Sequence, residues 1–193
     1  MRHRLVTRRL LAAGATGLVA LLLASCSDQG TGSPPPAPSA MTDDAIGHYC
    51  GMFLVEHIGP KGQILLRDQK QPVWFSTIRE VFAYTLLPEE PKTIVAIYVQ
   101  DMGRAGVDGN PPDEAWIDAR SAHYVIESDT VGAMGAPDAL PFEHLEQAQA
   151  FVRDHGGRVL GFEDMPEDYV LRYVEPVAAD RPAAPQPAGV PPS

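Results

Sequence analysis

A long apolar run lies close to the start of the 193-residue chain, over residues 10–25, and follows a short segment that holds four arginines. The run is shorter than the ~20 apolar residues that a membrane-spanning helix usually needs. It ends in the sequence LASC, which matches the lipobox of bacterial lipoproteins and places the cysteine at Cys26. We therefore predict a signal peptide over residues 1–25 and lipidation of Cys26, with the protein facing the periplasm. Ser27 after the lipidated cysteine favours the outer membrane over the inner one. Two adjacent arginines leave the export route, general secretory or twin-arginine, open.

Two segments rich in proline and small residues flank the remaining sequence. After Cys26 the chain continues with SDQGTGSPPPAPSA, and residues 177–193 have the sequence VAADRPAAPQPAGVPPS. Neither segment has the large apolar side chains that offset the entropy lost on ordering. We predict that residues 26–42 are a tether that does not pack and that residues 177–193 are a disordered tail of unknown role. The folded domain is then expected over residues 43–176.

The pattern of apolar residues in the first half of this domain predicts the order ββαβ. Residues 49–58 and 62–66 are predicted strands, and the sequence GPKG joins them as a turn. Residues 75–86 carry apolar side chains at helical spacing, which predicts an amphipathic helix. The apolar run IVAIYV over residues 94–99 predicts a buried strand.

The second half of the domain shows the same order. A strand is predicted over residues 122–127, a helix over residues 142–152 and a closing strand over residues 158–162. A glycine-rich piece around Met134 lies between the first strand and the helix.

A local match supports an internal duplication. The sequence PF before the second helix aligns with PVWF before the first, and Leu145 then aligns with Ile78 at helical core spacing. We predict an α+β fold of two related ββαβ units, over about residues 43–104 and 115–176, that form one compact soluble module.

The charge of the chain argues against one class of partner. All 25 Asp and Glu follow Cys26, whereas four of the 15 Lys and Arg precede it, so the part after Cys26 has a formal charge of −14. Such acidity disfavours nucleic acid, whose binding needs cationic contacts to phosphate. Acidic pairs such as Glu89-Glu90 are expected to be solvated surface and indicate no site.

The sequence Cys50-Gly51-Met52 is the feature that most suggests chemistry. With Cys26 lipidated, Cys50 is the only remaining thiol and cannot form an internal disulfide. On a strand, a thiolate and a thioether two residues apart share one face and can reach one ion. Soft sulfur donors favour Cu(I) over hard cations. The alternative, that Cys50 and Met52 are ordinary core residues of a strand, stays open.

Such a site needs further donors. Met134 is the most suggestive candidate, because glycines at positions 132 and 135 would leave it on an accessible loop. Met102 follows the buried strand and has an alternative role in packing. His57 lies seven residues from Cys50, which puts it on the opposite face of a regular strand, whereas His48 has the right parity but lies at the strand's frayed start. Both histidines and a residue from a partner protein stay candidates.

Familiar enzyme motifs are absent from the sequence. The chain contains no H-E-x-x-H, G-x-S-x-G, C-x-x-C or P-loop pattern. We therefore predict a binding protein without catalytic residues.

Six short sequence blocks in the folded part carry a family resemblance. In chain order they are CGM at 50–52, GPKGQ at 59–63, PVWFS at 72–76, AIYVQDM at 96–102, WIDA at 116–119 and MG at 134–135. Together they resemble the NosL family of nitrous oxide reductase accessory lipoproteins. The resemblance extends from about residue 49 to residue 171, and the tail after Asp180 is not part of it.

The resemblance implies a lipid-anchored periplasmic Cu(I) chaperone rather than an enzyme. Such a chaperone docks on an ABC transporter complex and supplies copper for the catalytic copper-sulfur centre of nitrous oxide reductase. Carried over by position, Cys50 and Met52 are the thiolate and thioether ligands, and Met134 is the methionine before the later glycine. The family fold is similar to two ββαβ units.

Two other functions compete with copper delivery. Organomercurial lyases have a similar domain and also use sulfur chemistry, but they need cooperating cysteines, and this chain keeps only Cys50 after lipidation. A metal-free envelope adaptor is the other competitor, and it would bind no copper when purified under reducing conditions.

Overall fold

The structure is a computed structural model that describes residues 34–172. The predicted signal peptide, the lipidation site Cys26 and the tail over residues 177–193 lie outside the described residues and stay predictions. Within the described part, no helix combines the length and the apolar character needed to cross a bilayer.

Seven strands and three α-helices form in the described residues. They are β1 Gly62–Leu66, β2 Val73–Phe75, α1 Ile78–Leu86, β3 Ile94–Gln100, β4 Trp116–Asp118, β5 His123–Ile126, β6 Leu140–Phe142, α2 Leu145–His155, β7 Arg158–Leu160 and α3 Glu167–Leu171.

The two sheets share one strand order. The first sheet has the order β2-β1-β3-β4 and the second has β6-β5-β7, and all neighbouring strands are antiparallel. We call β1-β2-α1-β3 the first repeat and β5-β6-α2-β7 the second repeat. In both, the first strand lies between the second strand and the strand that follows the helix. The prediction of an α+β fold with two related ββαβ units is confirmed, and β4 is an edge strand that the sequence pattern does not predict.

Both repeat helices begin three residues after an aromatic residue. Phe75 ends β2 and Phe142 ends β6, although the apolar spacing predicts each as the first residue of a helix. For α1 the reason is a capping box. The Thr77 side chain accepts the Glu80 N–H at 3.2 Å, and the Glu80 carboxylate accepts the Thr77 N–H at 3.1 Å. Thr77 is extended, so the helix starts after it.

Residues 49–58 do not form the strand that their apolar pattern predicts. They contain part of a tight turn over residues 47–52 and a 3-10 turn at Leu54–Glu56. The φ of Gly51 is +67°, which takes the chain out of the extended conformation. Apolar alternation here does not mark a buried sheet face, because five large side chains of the segment are exposed: Tyr49, Met52, Phe53, Val55 and Ile58.

The first repeat is therefore built from other strands than those predicted. The predicted second strand is β1, the first strand of the repeat. Its partner β2 lies just before the predicted helix and includes only the first predicted helical residue, Phe75. Strands β3, β5 and β7 and both helices lie where the pattern predicts them, within a few residues at their ends.

One hydrophobic core joins the two repeats. Its buried side chains come from both sheets, from α1 and from α3. Phe82 of α1 packs edge-on against Tyr124 of β5, with ring centroids 5.0 Å apart. Burial of large aromatic side chains from both repeats in one cluster explains why they form a single module.

Each repeat also places a buried carboxylate at the start of the other repeat's helix. Asp138, just before β6, accepts the N–H groups of Ile78 at 3.2 Å and Arg79 at 2.8 Å, at the start of α1. Asp101, just after β3, accepts the N–H of Glu143 at 3.0 Å, two residues before α2. Asp138 thus satisfies main-chain donors that α1 leaves free at its amino end, and Asp101 fixes the main chain just before α2.

The end of the predicted tether packs against the first sheet. The Ser39 N–H donates to Gln63 Oε1 at 2.8 Å, and Gln63 Nε2 donates to the Ser39 carbonyl at 3.0 Å. The Tyr98 hydroxyl donates to the Pro36 carbonyl at 2.7 Å. The prediction that the tether does not pack is wrong for residues 36–39, because polar side chains of the sheet satisfy their main-chain groups.

Candidate metal centre

Cys50 lies in a tight turn over residues 47–52. The Gly47 N–H donates to the Met52 carbonyl and the Gly51 N–H donates to the Gly47 carbonyl, both at 2.9 Å. A Cβ added to Gly47 would come within 2.5 Å of the Cys50 Sγ, so the half-buried thiol lies directly against this glycine. With the left-handed φ of Gly51, the turn depends on glycine at two positions.

The next turn brings His57 back to this thiol. The 3-10 turn Leu54–Glu56 reverses the chain, with the His57 N–H donating to the Leu54 carbonyl at 3.1 Å. Leu54 is fully buried and anchors the segment in a small cluster with Ala45 and Trp74. As a result Cys50 Sγ lies 3.8 Å from His57 Nε2. The prediction that His57 lies on the opposite face from Cys50 is wrong, because the segment between them is not a strand.

The distance between Cys50 and His57 fits one bound ion. For metal–sulfur and metal–nitrogen bonds of ~2.3 and ~2.0 Å, a separation of 3.8 Å corresponds to an angle of about 125° at the metal. An angle this close to trigonal leaves room for a third donor in the same plane. In the described residues no group of three or more His, Cys, Asp and Glu side chains is gathered for a metal.

Met52 lies on the same turn as Cys50, and 36% of its surface is exposed. The predicted reason for their proximity, a shared strand face, does not apply, because the segment is not a strand. The main-chain carbonyl of Met52 closes the turn by accepting the Gly47 N–H. The turn therefore keeps thiolate and thioether within one short, partly exposed loop.

Met134 lies at the tip of a separate hairpin. An isolated bridge pairs Val131 with Pro137, and the Gly132 N–H donates to the Ala136 carbonyl at 2.9 Å. Met134 has a left-handed φ of +66°, which is costly for a residue with a Cβ, and its side chain is 53% exposed. The prediction of an accessible position agrees with this exposure.

The surface cavity beside Met134 does not contain the thiol. Its volume is about 220 Å³, and it is lined by the hairpin, α1 and Val170. Among the residues that line it, Thr77, Arg79 and Glu80 come from the start of α1, and Cys50 and His57 are not included. The described conformation thus brings Cys50 and His57 together, and neither of them lines the cavity beside Met134.

The remaining two candidates have other contacts. Met102 packs against a small cluster in the second repeat, which agrees with its alternative role in packing. His48 Nε2 lies 3.1 Å from Glu90 Oε1, and its ring packs edge-on against Phe75 and Tyr84.

Glu90 is a residue that the sequence analysis assigns to solvated surface. Its side chain is only 11% exposed, and Oε1 also accepts the Tyr49 hydroxyl at 2.8 Å. Burial, and then the Glu90 carboxylate, raise the pKa of Tyr49 well above its usual value, so the phenol stays protonated and donates. No local sequence signal indicates this contact, because more than forty residues separate Tyr49 from Glu90 along the chain.

A model of the NosL family matches residues 38–170. The chain belongs to the NosL family. The copper-binding lipoprotein NosL of Achromobacter cycloclastes is 44% identical over 155 residues, covering 80% of this chain and 79% of that protein. The copper-binding lipoprotein NosL of Stutzerimonas stutzeri is 37% identical over 156 residues, covering 79% of this chain and 80% of that protein.

A solved structure of a NosL protein resembles the fold as well. The crystal structure of the copper chaperone NosL from Shewanella denitrificans has 30% sequence identity and a TM-score of 0.64. The match covers 69% of this chain and 98% of that chain. The family resemblance that the sequence blocks carry is thereby confirmed.

Proposed function

We propose that this NosL chain is a lipid-anchored Cu(I) chaperone that faces the periplasm. The observation that carries the proposal is the 3.8 Å separation of Cys50 Sγ and His57 Nε2, with the Met52 thioether on the same turn. Relatives named copper-binding lipoproteins and a neighbouring structure named a copper chaperone support the choice of metal. The lipobox that ends at Cys26 supports the anchor.

In this proposal Cys50 and Met52 bind the ion, and His57 supplies a third donor. Thiolate and thioether select Cu(I) over hard cations, and the imidazole lies at the right distance to share the ion. Met134 is a further predicted ligand. Because it lies on a separate hairpin, its contribution to copper binding can be tested independently of the Cys50 turn. A site with few donors on a partly exposed turn can accept an incoming ligand, so copper can be exchanged to a partner without first becoming free.

An anaerobic Cu(I) titration against a chromogenic chelator tests the site. We expect the wild type to bind one Cu(I) per chain, Cys50→Ser to bind none in competition, and His57→Ala to bind more weakly. X-ray absorption should show sulfur scattering and an imidazole signature that His57→Ala removes. Full loading of Cys50→Ser with unchanged affinity would contradict the assignment, and no copper binding at all would favour a metal-free adaptor.

The contribution of Met134 is tested by a change of similar volume. Met134→Leu should leave the melting temperature nearly unchanged, because the side chain is 53% exposed. Lower affinity or slower copper transfer in this variant would place Met134 at the ion. Wild-type affinity and transfer would restrict the site to the Cys50 turn and His57.

The proposed recipient is the catalytic copper-sulfur centre of nitrous oxide reductase, reached through an ABC transporter complex. Exposed apolar side chains around the Cys50 turn support docking to a protein: Ile46, Tyr49, Met52, Phe53, Val55 and Ile58. In a host that lacks this protein, nitrous oxide reductase should be complete as a protein and poor in its catalytic centre, whereas its electron-entry copper site still fills. A fully metallated catalytic centre under copper limitation would instead favour storage or sensing.

Membrane fractionation and intact mass test the proposed location. We expect a lipidated chain that begins at Cys26, in the outer rather than the inner membrane. Unlipidated protein that begins after Ser25 would contradict the anchor without affecting copper binding.

A further inference from the structure

The turn that carries Cys50 has few buried anchors of its own. Tyr49 is 40% exposed and Met52 is 36% exposed. Gly51, between the cysteine and the methionine, has a left-handed φ. A turn of this composition has many conformations open to it, so contacts from outside the segment must select the one in which the thiol faces His57.

Glu90 supplies two such contacts. Its Oε1 accepts the Tyr49 hydroxyl at 2.8 Å and lies 3.1 Å from His48 Nε2. The two donors, His48 and Tyr49, directly precede Cys50 in the chain. Glu90 itself lies between α1 and β3, more than forty residues further along the chain, so this link crosses from the first repeat to the turn.

The environment of Glu90 differs from that of the other ion pairs. Four other ion pairs in the described residues have both side chains at least 45% exposed, and pairs of that kind contribute little. The Glu90 side chain is 11% exposed. The ring of His48 also packs edge-on against the buried ring of Tyr84, with centroids 5.5 Å apart. A shielded carboxylate with two hydrogen bonds holds its partners in place far better than an exposed one.

We propose that Glu90 is a positioning residue for copper binding: by holding His48 and Tyr49 it fixes the turn so that the Cys50 thiol faces His57. The same contact occupies His48 Nε2. It therefore engages that ring nitrogen of the nearer histidine in sequence, whereas the Nε2 of His57 lies beside the thiol. This inference rests on the proposed copper site for its function, whereas the positioning of the thiol can be tested without any metal.

The test compares Glu90→Gln with Glu89→Gln. Glu90→Gln keeps the size and one acceptor oxygen but removes the charge. Glu89→Gln makes the same change at the exposed neighbouring residue and is the matched control. Tyr49→Phe removes a single hydrogen bond and serves if the glutamine variant folds poorly. The readouts are the rate at which iodoacetamide alkylates Cys50 in the metal-free protein, the Cu(I) affinity and the melting temperature.

We expect Glu90→Gln to bind Cu(I) about tenfold more weakly, the effect of weakening hydrogen bonds to a charged group. Alkylation of Cys50 should become several-fold faster in Glu90→Gln. For both readouts, Tyr49→Phe should lie between the wild type and Glu90→Gln, and Glu89→Gln should match the wild type. Unchanged alkylation and affinity in Glu90→Gln, even with a lower melting temperature, would make Glu90 merely structural and overturn the proposal. If the wild type bound no Cu(I), the proposed function would fail, and the alkylation rates would still decide whether Glu90 positions the thiol.

Discussion

The two repeats have the same strand order but use their helices differently. Helix α1 buries four large side chains, Ile78, Val81, Phe82 and Tyr84, and starts with a capping box. Helix α2 buries only Ala148 and has no side-chain cap. The segment with Cys50 packs on the first repeat, where the main chain of His48 bonds to Trp74. The more firmly packed repeat thus supports the candidate metal centre, and the other one completes the core.

The sharpest test of this difference compares equivalent positions at the starts of the helices. Ile78 is fully buried, whereas Leu145, which the sequence match pairs with it as a core position, is 43% exposed. We expect Ile78→Ala to lower the free energy of unfolding by about 2–5 kcal/mol and Leu145→Ala by less than about 0.5 kcal/mol. Urea unfolding of both variants measures this. Similar losses in the two would show that the helices contribute equally.

The carboxylate at the start of α1 should give a pH dependence to stability. Burial raises the pKa of Asp138 to about 6, since desolvation outweighs the hydrogen bonds that the carboxylate accepts from the N–H groups of Arg79, Ala139 and Ile78. The folded state therefore binds this proton more tightly than the unfolded chain, whose aspartates titrate near 3.9. The stability that Asp138 contributes is complete below about pH 4 and is lost as the pH rises to about 6.

Asp138→Asn isolates this effect. The free energy of unfolding of the wild type should fall by about 2 kcal/mol between pH 4 and pH 6 relative to that of the variant, and the difference should become flat above about pH 7. Urea unfolding at several pH values measures it. A constant difference across the range would show that Asp138 is ionised in the folded state throughout.

The smallest expected effect on the free energy of unfolding comes from the residues at the amino-terminal cap positions of α1 and α2. Thr77→Ala removes the capping box of α1 and should lower the free energy of unfolding by about 1 kcal/mol. His144 occupies the corresponding position of α2, is extended and makes no cap. His144→Ser should therefore raise the free energy of unfolding by about 0.5 kcal/mol. A loss of stability in His144→Ser would mean that the histidine has a structural role there.

Periodicity predicts the parts of the fold whose burial is regular. Helices α1 and α2 and strands β1, β3, β5 and β7 lie where the apolar pattern predicts them, within a few residues at their ends. It fails for residues 49–58, where apolar side chains such as Phe53 and Ile58 lie on the surface. The glycine next to Cys50 is the one local sign of a turn there.

The candidate site was predictable in part. The identity of Cys50 and Met52 as candidates comes from the chemistry of sulfur. Met134 is a candidate because of the glycines at positions 132 and 135, and the resemblance to the NosL family supports it. The proximity of His57 depends on a 3-10 turn, and that of Glu90 depends on tertiary packing, so neither follows from spacing along the chain.

The two buried carboxylates that form hydrogen bonds across the repeats also bear on how the molecule folds and how a duplicated fold is inherited. Asp138 and Asp101 each lie in one half and bond to main-chain N–H groups of the other. Neither half on its own would retain the carboxylate that accepts the main-chain N–H groups near the start of its helix. Both halves should unfold in a single cooperative transition. A gene that lost one copy would encode a repeat whose main-chain N–H groups near the helix start lack their carboxylate partner. The two copies can therefore diverge in surface and function, but neither is expected to fold stably without the other.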